Sequence, residues 1–311
     1  MGAETRLPLT AAGSLLGAAL LTTGRRTARR KRVLAGRGDE NFLVARSGNA
    51  LSFRATDTKA AEETGRPLIV FESGFLATME HWAWVSEKLE GKESTVFYDR
   101  SGYGRSRHKT PLPVTPRTIV SDLVDLVRHT RGKRRVVLVG HAMGAGIVLQ
   151  AAAELEDVIA GTVLLEPPVV TAAPGAEPSG RPHDKGIPPL FVGSMRIGCG
   201  DLLPRPSWAG MLPEHSARLR DDQYRDARLW QAAEREAAAG MGRGVHEGLL
   251  ARVPSPTDVI AHRDADLSGY RGLRLMTPHV LDGFRPGRLL LSRHAAERAA
   301  EIVSEANGRV R

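Results

Sequence analysis

Between Val136 and Gly146 the chain reads Val-Val-Leu-Val-Gly-His-Ala-Met-Gly-Ala-Gly. An unbroken apolar run of this length suits a strand covered on both faces, as in a parallel sheet. Glycines 140 and 144 then flank a sharp turn where a Cβ would strike the neighbouring strand or helix. The Ala-rich stretch that follows, to Glu154, reads as a helix. This strand–turn–helix unit lifts one side chain, that of Ala142, to the top of the sheet beside a helix N-terminus.

Further apolar runs lie at Leu68–Phe71, Thr95–Tyr98 and Gly161–Leu165. Between them, Trp82, Val85 and Leu89 share one helical face, as do Ile119, Leu123, Leu126 and Val127. Strand and helix alternating at this spacing predict right-handed βαβ units. The fold class is α/β, a mostly parallel central sheet with helices on both faces. Residues 41–57 predict a β-hairpin ahead of it. Residues 171–250, dense in Pro and Gly and then charged and Ala-rich, predict an inserted lid. Beyond the insertion the pattern predicts a strand at Val259–Ala261, a helical stretch near Leu273–Phe284, a last short strand at Leu289–Leu291 and a final helix from Ala295.

The formal charge of +9 over 311 residues is concentrated at the N-terminus. Residues 1–38 carry eight basic side chains and one acid, +7, which leaves +2 for residues 39–311. A nearly neutral body argues against nucleic acid as a partner. The uncharged run Leu7–Leu21, followed by Arg-Arg-Thr-Ala-Arg-Arg-Lys-Arg, makes residues 1–38 an apolar and basic leader or a membrane anchor. As an anchor, with its charge after the apolar run, residues 7–32 would associate with a membrane and leave the domain, residues 39–311, in the cytoplasm; as a leader they would leave it simply cytoplasmic.

The single cysteine, Cys199, excludes an internal disulfide framework and a cysteine zinc site. His246, His262 and His279 are dispersed without metal-ligand spacing. No G-K-[ST] follows the glycine-rich turn, and no G-x-G-x-x-G is present there, so neither a metal nor a nucleotide cofactor is expected.

Three stretches together resemble the α/β-hydrolase fold superfamily. These are Leu-Ile-Val-Phe-Glu-Ser-Gly-Phe at 68–75, Val-Phe-Tyr-Asp-Arg-Ser-Gly-Tyr-Gly-Arg-Ser at 96–106, and the Gly-His-Ala-Met-Gly turn, which is similar to that family's nucleophile elbow. The resemblance implies oxyanion donors at the backbone N–H groups of Phe75 and Met143. It implies a general base at His294, with His279 as alternative. The acid would be Asp264 or Asp266 after one strand, or Glu166 after the preceding one. His141, and an aromatic of Trp82 and Trp84, would be packing residues, and Ser101 and Ser106 turn residues. The chain departs from the family at the nucleophile itself. Ala142 offers a methyl group, which cannot attack a carbonyl. The expectation is therefore a degenerate hydrolase that binds a small apolar or carbonyl-containing ligand. The alternatives are a hydrolase or lyase using His294 without a covalent intermediate, and a Ser-to-Ala variant of an active esterase-type hydrolase.

Overall fold

The computed structural model describes residues 23–57, 65–111, 113–171, 187–206, 208–241 and 244–310. An eight-stranded sheet organises them, in the order β1-β2-β4-β3-β5-β6-β9-β10. β1 (Asn41–Val44) and β2 (Ala50–Thr56) form the expected hairpin and pair antiparallel. β3 (Leu68–Glu72), β4 (Thr95–Asp99), β5 (Val136–His141), β6 (Ile159–Leu165), β9 (Thr257–His262) and β10 (Met276–Leu281) run parallel. A separate two-stranded ladder joins β7 (Val170–Thr171) to β8 (Val245–His246).

The central strands are apolar throughout because both sheet faces are covered. Leu68, Val70, Val136 and Leu138 pack on one side against α3 (Pro116–Thr130) and α4 (Met143–Glu154). Ile69, Phe71, Val137 and Val139 pack on the other against α2 (Ala83–Leu89) and the C-terminal helix, α8 (Arg293–Arg309). Successive residues supplying opposite cores is the period-2 geometry of a strand. α3 starts where Thr115 Oγ1 accepts the Thr118 N–H at 3.1 Å, with Pro116 in its first turn.

Two expectations are corrected at the C-terminal side. The stretch near Leu273–Phe284 is the edge strand β10, not a helix, and Leu289–Leu291 is a single 3₁₀ turn, not the last strand. β10 carries Pro278 and exposes half its residues, as an edge strand permits, so it lacks the apolar signature of its neighbours.

Between β6 and β9 the chain forms α5 (Pro189–Arg196), α6 (Glu214–Tyr224) and α7 (Ala227–Ala238). Phe75 and Leu76 pack against a third apolar cluster built around Val192, Met195, Leu229 and Trp230 of this insertion. The basic N-terminal segment is part of the same body. Residues 23–35 form helix α1. Arg32 donates to both carboxylate oxygens of Asp222 at 2.7 Å, Arg30 reaches Asp226 at 3.1 Å, and Arg29 pairs with Asp201. The basic half of the expected leader is thus docked on acids of the insertion. Residues 7–21 lie outside the described residues, and among those described no helix is long and apolar enough to cross a membrane.

Candidate functional site

β5 turns into α4 through Ala142, whose φ of 49° and ψ of −120° lie in the left-handed half of conformational space. The flanking glycines serve packing. A Cβ on Gly140 would lie 2.7 Å from Ala145 Cα, and one on Gly144 would lie 2.6 Å from the carbonyl oxygens of Glu72 and Ser73. Both distances are below any tolerable contact with backbone, which is why β5 can meet α4 and the end of β3 so closely.

The loop after β3 lies against this turn. A Cβ on Gly74 would sit 3.1 Å from His141 Nδ1 and 3.4 Å from Ala142 Cβ. Arg100, fully interior at the end of β4, holds that loop. Its Nη1 donates to Glu72 Oε1 at 2.6 Å and to Ser73 O at 2.5 Å, and its Nη2 donates to Gly74 O at 2.8 Å. Its Nε donates to Glu236 Oε1 of α7 at 2.6 Å, so one guanidinium ties sheet, loop and insertion together. Trp82 Nε1 donates to Ser73 Oγ at 3.0 Å from below, while its ring packs on Phe71. The backbone N–H groups of Phe75 and Met143 meet no acceptor among the described residues.

The acid candidates part company. Asp264 is three-quarters exposed, 3.2 Å from His262 Nδ1. Asp266 is exposed and accepts the Ser268 N–H at 2.8 Å as a turn residue. Glu166, at φ 44°, is the enclosed one. It accepts the Gly287 N–H at 2.6 Å, the Leu289 N–H at 3.1 Å and His141 Nε2–H at 3.4 Å. Burial pushes its carboxyl upward, but the hydrogen bond and charge of His141 and the two backbone N–H groups outweigh this. They hold it below the usual range.

His294 does not lie on the loop after the last strand. It is exposed in the first turn of α8. The misplacement follows from β10: with Met276–Leu281 as the last strand, the following loop is 282–288, and the His294 stretch already belongs to the helix. His279 lies on β10 and pairs with Asp258, at 2.6 Å, which Arg309 also holds. His141, expected as a packing residue, lies edge-on to the Trp82 ring with centroids 6.2 Å apart. Its Nδ1 is buried with no hydrogen-bond partner. Ser106 plays the expected turn role, accepting the Ser52 N–H at 2.7 Å and donating to Asp99 O at 2.6 Å. Ser101 Oγ lies 3.2 Å from His108 Nδ1, and Cys199 is half-buried in a 3₁₀ turn of the insertion. Among the described residues no cluster of three His, Cys, Asp or Glu side chains could hold a metal ion.

Arg100 and Arg220 also escaped sequence reading. Arg100 sits in the 96–106 loop motif and so had a local signal. Arg220 is one of 44 basic residues, and nothing in its neighbourhood distinguishes it.

Comparison with known proteins agrees with this architecture. Over 101 residues the chain is 30% identical to the candidate carbamate hydrolase RutD of Klebsiella pneumoniae, a match spanning 32% of this chain and 38% of that protein. The chain thus matches well under half the length of that relative. A thermophilic esterase from Thermogutta terrifontis superposes with a TM-score of 0.62 at 20% identity, covering 86% of this chain and 97% of that one. The enol-lactonase of Burkholderia xenovorans gives 0.61 at 18% identity, covering 86% and 99%. At these identities the structural likeness establishes the fold alone. The model of the alpha/beta hydrolase family matches residues 69–305, from β3 to the C-terminal helix, and the chain belongs to that family.

Proposed function

We propose that this chain is a degenerate α/β-hydrolase whose elbow and adjoining loop bind a small carbonyl-containing ligand without covalent turnover. One observation carries the reading: the strained turn persists at φ 49° with only a methyl group at its apex. A nucleophile elbow holds its backbone in this shape to present an attacking atom, and here none is presented. The free N–H groups of Phe75 and Met143 support the binding half of the reading, because two such donors suit a carbonyl oxygen.

The orphaned His141 Nδ1 favours a second reading. With Nε2–H donating to Glu166, Nδ1 is the basic nitrogen. It could take a proton from water attacking the bound carbonyl, in the role expected of His294. The imidazolium would then return that proton to the leaving group.

Hydrolysis of p-nitrophenyl butyrate by the wild type, His141→Ala and His294→Ala separates the two. An inert wild type supports the binding reading. Turnover lost in His141→Ala but kept in His294→Ala supports the second reading and ends the first.

A further inference from the structure

Three arginines among the described residues are buried: Arg29, Arg100 and Arg220. The first two follow the rule that a buried charge is paired. Arg29 meets Asp201 and Asp222, and Arg100 meets Glu72 and Glu236. Arg220, on α6 and only 2% exposed, has no described carboxylate within ion-pair distance, and Asp99 and Asp221 act on it only from farther off. Its Nη2 donates to Leu76 O at 2.6 Å and its Nε to His81 Nε2 at 3.4 Å. Its Nη1 is buried and has no partner at all. The Trp208 ring lies 5.0 Å from the guanidinium and covers it.

His81 does not neutralise this cation. Burial, with the charges of Arg220 and His141, holds its imidazole well below the usual range, so it is uncharged near neutrality. An unpaired buried guanidinium is costly, and a carboxylate partner would offset that cost. The setting is the loop that packs on Ala142: Arg220 grips Leu76, two residues from Gly74.

From this geometry we propose that Arg220 is the anion-binding residue of the ligand site, and that the ligand carries a carboxylate seated on Nη1. The inference rests on the binding reading above and specifies its ligand class. A neutral carbonyl accepts from Nη1 but leaves the buried charge uncompensated, so charge is the discriminating feature.

Calorimetric titration of the full chain with hexanoate, and with its neutral isostere hexanamide, tests this. The expected result is hexanoate binding at least ~tenfold tighter, the scale of one charge-assisted hydrogen bond. Arg220→Met should erase that preference, while Arg220→Lys should keep part of it. Because Arg220 has no carboxylate to orphan, both variants should fold. If Arg220→Met did not, the wild-type ratio and its partial retention in Arg220→Lys would still decide. Equal affinity for the two probes would overturn the anion site yet leave the binding reading standing. A preference that survives in Arg220→Met would overturn the assignment to Arg220. If neither probe bound, the anion proposal would fall, whereas the binding reading itself falls only on His141-dependent turnover by the wild type.

Discussion

Replacing Ala142 by glycine should stabilise this protein, although it removes a methyl group beside Gly74. At φ 49° and ψ −120° an L-residue is strained by about 1–3 kcal/mol, and glycine is not. Two terms oppose the gain. Glycine frees the unfolded chain by about 0.4–1 kcal/mol. A half-buried methyl surrenders roughly 0.3–0.5 kcal/mol of transfer energy. The net expectation is a gain of ~0.5–1.5 kcal/mol, or roughly 1–4 °C in Tm for a chain of this size. Urea unfolding of the wild type and Ala142→Gly, with Ala153→Gly as control, measures it. Ala153 lies in α4 with helical backbone, so its replacement should cost about 1 kcal/mol. Loss of stability in both variants would refute the argument, because it would mean that the turn at Ala142 carries no strain.

Other consequences follow from neighbouring geometry. Gly144→Ala drives a Cβ to 2.6 Å from two backbone carbonyl oxygens, so it should destabilise by ~2 kcal/mol or more in the same urea assay. Burial, with the charges of Glu80 and Glu40, raises the Asp99 carboxyl from 3.8 to about 7 against the Met79 and Arg105 N–H bonds. A raised folded pKa means that its contribution is complete below pH ~4 and declines as pH rises to ~7. Thermal melts should record that decline, by up to ~4 kcal/mol, and Asp99→Asn should flatten it. Glu166 is shifted the other way, so its contribution is present above the ordinary carboxylate range and is lost as pH falls through its depressed pKa. Glu166→Gln should therefore cost ~1–3 kcal/mol at pH 7 and narrow the gap to wild type in acid. Asp222→Asn weakens the seat of Arg32 and Arg29, and limited proteolysis should cut ahead of residue 38 several times faster, with added salt mimicking the effect.

The elements legible in the sequence were those whose signal is local. β3, β4, β5 and β6 are buried on both faces, so apolar side chains mark every position and the strands declare themselves. The elbow was legible because two glycines must stand where α4 and the end of β3 leave no room for a Cβ. β10 was not legible. An edge strand needs no apolar run and tolerates Pro278, and misreading it put His294 on a loop where the structure has the first turn of a helix. The docking of α1 was not legible for a related reason. Its arginines resemble a free basic flank until the acids that seat them, Asp201, Asp222 and Asp226, are brought alongside by a chain segment some 170 residues or more away.

By itself the sequence determined the α/β class, the strand–turn–helix at Gly140–Gly144 and the absence of a nucleophile at Ala142, because each depends on residue type within a few positions. Tertiary structure alone decided which charged groups meet. Whether Glu166, Asp264 or Asp266 is enclosed, whether His294 falls on a loop or in a helix, and whether Arg220 has a counter-ion all depend on long-range packing. Burial and charge pairing are properties of the assembled fold, and no local pattern encodes them.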